Sequence, residues 1–221
     1  MSLLLLVRHG QASWGTADYD RLSEQGFAQS AMLGRSLAAR GIRPSVVLTG
    51  AMRRHHETAR TVVAAAGWDV SPVEDGGWNE FDHQQMLELH PTGIGGGEEM
   101  TKARFQQWFE GATLRWTGGK HDEEYDESFG AFGDRVGAAL RRAIDRLGGG
   151  GTAVVFTSGG PISHVAASLL GGGAALWLQL NPVTVNASVT KVVLGGRGAT
   201  LVSFNDHGHL EKAEGGLVTY R

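Results

Sequence analysis

The chain contains no cysteine. That absence removes disulfide scaffolds, Cys-ligated zinc and thiol nucleophiles together. It also lacks a long apolar run. The opening stretch Leu3-Leu4-Leu5-Leu6-Val7 stops at Arg8, short of the ~7–15 apolar residues of a signal-peptide core and far short of the ~18–20 of a membrane span. The expectation is a cytoplasmic protein with no membrane partner. Nor does one sign of charge dominate: 20 basic and 23 acidic residues leave a net charge of −3 at pH 7. A general electrostatic binder of nucleic acid carries a basic excess, so nucleic acid is not an expected partner.

What is present suits a globular enzyme-sized domain. At 221 residues the chain is expected to form one sizeable domain. Apolar residues make up 41%, enough for a core, and charged residues only 19%, too few for a disordered polyelectrolyte. Glycine is the excess, 34 residues, about twice the usual ~7%. It follows no collagen-like period, so its placement needs an explanation.

Leu3–Val7 reads as a strand covered on both faces. Ser23 can cap a helix running to about Arg40, with Phe27, Ala31, Gly34 and Ala38 on one stripe, Leu33 and Leu37 beside it, and Gly41 as the stop. Ser45–Thr49 is a second strand, followed by a helix from about Ala51 to Ala66 closed by Gly67. Asp69–Val73 is a candidate third strand. Residues 82–130 are irregular apart from one helix expected from Glu98 to about Trp116, flanked by Gly93, Gly95, Gly96 and Gly97 and by Gly118 and Gly119. Phe129–Leu147 reads as helix, Gly148–Gly151 as a break, Thr152–Thr157 as a central strand, and Pro161 to about Leu170 as helix. Ser188–Leu194 and Ala199–Asn205 suggest a terminal hairpin. Alternating strands and helices imply a three-layer α/β/α sandwich, with a mostly parallel central sheet and an antiparallel edge strand. The 82–130 segment lacks strands of its own. It reads as an insertion covering the active-site end of a single domain spanning 1–221.

Ligands of open α/β sheets bind at the carboxyl ends of the strands. After the first strand come Arg8, His9 and Gly10; after the second, Arg53, Arg54, His55, His56 and Thr58; after the third, Trp78, Asn79 and Glu80; after the fourth, Ser158, Gly159, Gly160 and Pro161. Arginines, a His, a Glu and a Gly-rich helix start suit a phosphate, through bidentate bonds and free helix N–H groups.

The ordered set resembles the histidine phosphatase superfamily, the phosphoglycerate-mutase-like proteins. It includes Arg8-His9-Gly10, Asp20 to Gly26, Gln29, Arg54…Thr58-Ala59, Glu80, Glu127-Ser128, Gly159-Gly160, Asn186-Ala187-Ser188, Asn205-Asp206 and His209-Leu210, spanning nearly the whole chain. The resemblance implies that His9 is the nucleophile that becomes phosphohistidine. It implies further that Arg8 and Arg54 clamp the phosphoryl oxygens, and that Glu80 is the general acid that then helps activate water. Ser158 and Gly159 complete the expected phosphate site. No cofactor and no metal is expected. The expected activity is a metal-independent phosphatase acting on a phosphorylated small molecule or phosphoprotein, with a bell-shaped pH profile set by neutral His9 and protonated Glu80.

One departure stands out. The family usually has a second His where this chain has Ser158, and a hydroxyl can donate a hydrogen bond but brings no cationic form. Two alternatives therefore stay open: a phosphoglycerate-mutase-type phosphotransferase, and a low-activity or inactive phosphate binder. His83 or His164 could substitute for the missing His. Arg53 competes with Arg54 as the phosphate ligand, although spacing to Thr58-Ala59 favours Arg54. His55-His56, read as mid-helix, is not expected to bind metal, the acidic run 122–127 reads as a solvated loop face, and His207 and His209 read as structural.

Overall fold

A computed structural model of the protein describes residues 1–13, 20–91, 101–211 and 216–220. In chain order the elements are β1 (Ser2–Arg8), α1 (Glu24–Ala39), β2 (Val46–Thr49), α2 (Arg53–Ala66), β3 (Val73–Glu74), α3 (His83–Glu88), α4 (Lys102–Thr117), α5 (Phe129–Leu147), β4 (Thr152–Thr157), α6 (Gly159–Leu169), α7 (Gly173–Leu180), β5 (Val189–Gly195), β6 (Gly198–Asp206) and α8 (Gly208–Glu211). They fall into two compact units, Met1–Glu80 with Val136–Arg221, and Phe81–Arg135. Among the described residues no helix is long and apolar enough to cross a membrane.

The larger unit is the expected α/β sandwich. Its sheet has the order β3-β2-β4-β1-β5-β6. β3, β2, β4 and β1 run parallel. The terminal hairpin adds β5 antiparallel to β1 and puts β6 at the edge, antiparallel to β5. Leu5, Val7, Val47, Val154, Phe156 and Val189 pack with Leu33 and Leu37 of α1 and Ala59 and Val62 of α2. Their strand neighbours Leu4, Leu6, Leu48, Ala153 and Val155 point to the other face by the two-residue alternation of strands and are equally buried. On that face α6 packs against β1.

Register brings the strand ends together. Arg8 lies opposite Thr157 and Thr49 opposite Phe156, so His9, Gly50 and Ser158 leave the sheet side by side. The His9 amide donates to the Thr157 carbonyl, at 2.9 Å, and the Gly50 amide to that of Phe156, at 3.1 Å.

Several local expectations needed correction. Ser23 does cap α1, its hydroxyl accepting from the Gly26 amide at 3.0 Å, but the buried stripe is Gly26, Gln29, Ser30, Leu33, Gly34 and Leu37. Ala38 is exposed. Gln29 shifts the phase, because its amide is drawn inward to bond the Gln11 amide and the Leu217 carbonyl. The third strand is only Val73–Glu74: Pro72, just before it, has no N–H to donate to a ladder, and both strand residues are exposed. α6 starts two residues before Pro161, and α7 was not expected. The Glu98 start and the glycines at 93 and 95–97 lie outside the described residues; the helix is described from Lys102.

The smaller unit has no strand among its described residues. Asp82 caps α3, accepting from the Gln84 and Gln85 amides, and α3 packs on α4. Its core is aromatic. The Phe81 ring stacks on Trp116 with centroids 4.8 Å apart and meets Phe132 edge-on at 5.9 Å, while Trp116 meets Phe129 edge-on at 5.1 Å. Polar ends are tied off: Trp116 Nε1 donates to the Glu127 carbonyl. Two residues of the acidic run are bound to arginines, Glu124 by Arg115 and Glu127 by Arg135 through two bonds of 2.6 and 2.7 Å, and Asp122, Glu123 and Asp126 are exposed.

Candidate active site

His9 sits at the end of β1, 6% exposed. Its Nδ1 lies 2.7 Å from the Gly10 carbonyl. A carbonyl only accepts, so Nδ1 carries the proton and Nε2 keeps its lone pair. Burial, then Arg54, Arg8 and His55, push its titration well below the ordinary imidazole range, against the opposing pull of the Gly10 carbonyl. The ring is therefore neutral at neutral pH, within the electrostatic reach of two guanidinium groups.

The loop holding His9 is over-determined. The Gly10 amide donates to Thr58 Oγ1 at 3.1 Å, and that hydroxyl donates to the Arg54 carbonyl at 2.7 Å. Asn186 Nδ2 donates to the His9 carbonyl at 3.1 Å. Gly10 is required by packing: a Cβ there would lie 2.4 Å from the Gly26 carbonyl oxygen in the first turn of α1. Close approach of α1 is thus a reason for glycine at this position.

Arg54 is 5% exposed and is paired through Nη1 with Asp20 at 2.6 Å. Asp20 also takes the Arg53 amide at 2.7 Å, standing in for the absent side-chain cap at Met52. The Arg53 side chain lies on the solvated face of α2, bonded to Glu57 one turn on. Arg8 donates through Nη1 to the carbonyls of Thr184 and, at 2.7 Å, Tyr220. A Cβ on Gly159 would lie 3.8 Å from Arg8 Nε, so the start of α6 lies close to this guanidinium. Glu80 follows a short 3-10 turn, Gly76–Trp78, and its Oε2 accepts from the Gly160 amide at 3.2 Å. Arg8, His9, Arg54, Glu80, Ser158 and Gly159 thus share one end of the sheet.

Ser158 and His55 complete the cluster; the sequence placed His55 after the second strand but gave it no part in the site. Both are fully buried. His55 Nε2 lies 2.7 Å from Ser158 Oγ, and the His55 and His9 ring centroids are 5.7 Å apart. His55 stands in the first turn of α2 rather than mid-helix. Of the two histidines considered as substitutes, His164 lies in α6 with Nε2 3.4 Å from Ser168 Oγ, and His83 belongs to α3 of the smaller unit. No local spacing could have linked position 55 to position 158; only the β2–β4 pairing does. The terminal pair splits: His207 bonds the Asn205 carbonyl, while His209 is held down to about 4, chiefly by burial.

A neutral buried histidine beside arginines, at the carboxyl ends of the parallel strands of a mixed sheet, defines an α/β protein with a cationic strand-end site. The chain belongs to the histidine phosphatase superfamily (branch 1), whose family model matches residues 4–207. A 2,3-bisphosphoglycerate-dependent phosphoglycerate mutase of Mesorhizobium japonicum is 35% identical over 95 residues, 39% of this chain and 46% of that protein. The matched stretch thus spans about half the length of such curated relatives. Among solved structures, a phosphoserine phosphatase mutant of Entamoeba histolytica superposes with a TM-score of 0.70 at 18% identity, covering 95% of this chain and 100% of its own. A phosphoglycerate mutase of Bacillus anthracis gives 0.69 at 20%, covering 94% of each chain. A mycobacterial glucosyl-3-phosphoglycerate phosphatase gives 0.66 at 22%, covering 92% and 98%. At these identities the superpositions speak for the fold.

Proposed function

We propose that the protein is a metal-independent phosphatase that hydrolyses phosphomonoesters through a phosphohistidine on His9. The observation that carries this is the His9 tautomer: the Nδ1–H bond to Gly10 leaves an Nε2 lone pair on a neutral ring beside two arginines. Nε2 attacks phosphorus, an N–P bond forms as the ester P–O bond breaks, and the Glu80 carboxylic acid gives its proton to the leaving alkoxide. Water then attacks the phosphorus, Glu80 takes the water's proton, the N–P bond breaks, and inorganic phosphate leaves with His9 neutral again. The Gly10 carbonyl steadies the imidazolium formed in between through Nδ1–H. Arg8 and Arg54 offset the charge spread over the phosphoryl oxygens, joined by Ser158 and the Gly159 amide at the start of α6.

The names of the curated relatives favour a second reading, a phosphoglycerate-mutase-type transferase with the same nucleophile. The proposed substrate is a phosphorylated small molecule or phosphoprotein, and the proposed location is the cytoplasm. The deciding experiment is turnover of p-nitrophenyl phosphate by the wild type and His9→Ala, with acid-labile phosphohistidine trapped by 31P NMR. Hydrolysis lost in His9→Ala supports the phosphatase. Transfer between phosphoglycerate hydroxyls, stimulated by a bisphosphate, supports the mutase. A wild type as inactive as His9→Ala that still binds phosphate makes the chain a binder.

A further inference from the structure

His55 and Ser158 form a buried pair that the mechanism above does not use. Their bond has a direction. His55 Nδ1 has no hydrogen-bond partner and lies against the Gly50 backbone: a Cβ on Gly50 would come within 2.3 Å of it. A buried N–H without an acceptor costs the full desolvation of that donor, so the single ring proton belongs on Nε2, where Ser158 Oγ can accept it at 2.7 Å. Burial, with Arg54 and His56 adding to it, holds His55 neutral and keeps a second proton off Nδ1. The two site histidines therefore carry opposite tautomers, His9 protonated on Nδ1 and His55 on Nε2.

This assignment frees the serine hydrogen. A serine at a helix N-cap ordinarily accepts from an amide of the first turn. Ser158 occupies that position ahead of α6 but makes no such bond. Its oxygen accepts from His55 instead, and its own O–H is left to donate elsewhere. Resting on the phosphatase reading, we propose that His55 is a positioning residue. It turns Ser158 into a neutral donor to a phosphoryl oxygen of the group at His9, through the chain His55 Nε2–H to Ser158 Oγ, and Ser158 O–H to phosphate.

The test has two arms on the full-length protein. In the first, 15N NMR of histidine-labelled protein reads the tautomer without any substrate. The expected result is a protonated Nε2 and bare Nδ1 on His55, with the Nε2 signal moving in Ser158→Ala and on titration with inorganic phosphate. A proton on Nδ1, or a signal indifferent to phosphate, overturns the proposal. In the second, kcat for p-nitrophenyl phosphate is compared in His55→Phe, Ser158→Ala and the double variant. Each single change is expected to lower kcat on the order of 10²-fold, the cost of one such donor, with KM moving far less and the double variant falling no further. His55→Gln, which restores an N–H, is expected to recover most of the rate at matched thermal stability. Additive losses, or His55→Gln as slow as His55→Phe while equally folded, sink the idea. If the wild type turns over nothing, the phosphatase reading fails, and the NMR response to phosphate still decides on the pair.

Discussion

Around His9 the contacts are directed hydrogen bonds: His9 donates to the Gly10 carbonyl, the Gly10 amide to Thr58, Thr58 to the Arg54 carbonyl, Arg54 to Asp20, and His55 pairs with Ser158. Around Trp116 the contacts are ring faces and edges, Phe81, Phe129 and Phe132 within 4.8 to 5.6 Å of its centroid. Both clusters are buried, but they respond differently to change. A hydrogen-bonded cluster at a strand end is defined by atom positions and protonation, so an isosteric swap can disable it. An aromatic cluster is defined by volume and area, so it tolerates shape-conserving replacements and suffers from cavities.

The largest expected effect breaks the polar cluster alone. His9→Ala should lower turnover of an aryl phosphate on the order of 10⁴-fold or more, as loss of a covalent nucleophile does, while circular dichroism and the unfolding midpoint stay near wild type. Next comes the aromatic cluster. Phe132→Ala should cost about 3–5 kcal/mol in urea unfolding, whereas Phe132→Leu should cost clearly less because most of the volume survives. Equal losses for the two would show that the rings are held by directed contacts after all. Arg54→Gln should slow turnover by about 10²–10³-fold, with Arg53→Gln nearly silent; the reverse order would move the phosphate clamp to Arg53.

A smaller effect concerns pH. His209 titrates near 4 in the fold, chiefly because it is buried, with Asp206 opposing and Arg40 adding. The unfolded chain takes up that proton at the ordinary ~6.5. Between these values the unfolded state binds more protons, so stability falls as pH drops from about 6.5 towards 4. His209→Gln should flatten part of that fall in thermal unfolding between pH 7 and 4.5; His9 and His55, depressed in the same direction, supply the rest. An unchanged slope would assign the acid sensitivity entirely to the site histidines. Smallest is the cap: Ser23→Ala should cost about 1 kcal/mol without touching turnover.

Legibility followed the range of the interaction. The parallel core of the sheet could be read because Leu3–Val7 and Thr152–Thr157 are continuous apolar strands bounded by chemistry and glycine, and each needs only local sequence to declare itself. Ser23 was legible as a cap for the same reason. The stripe of α1 was misphased because Gln29, polar by type, is buried by partners at Gln11 and Leu217 that local periodicity cannot see. Asp69–Val73 has the composition of a strand, but an edge position after Pro72 leaves only two residues paired.

The same division runs through the site. By itself the sequence determined the strand-end order of Arg8-His9, Arg54, Glu80 and Ser158, and with it the α/β architecture and the family, because these residues sit in local motifs after legible strands. Tertiary structure alone decided which nitrogen of His9 bears its proton, that Asp20 takes the Arg54 guanidinium, and that His55 meets Ser158. The last depends on the β2–β4 register, which brings distant strand ends within hydrogen-bond reach. Burial there removes water as a competing partner, so each proton must settle on a protein neighbour: the next carbonyl in the chain for His9, and for His55 a serine 103 positions away.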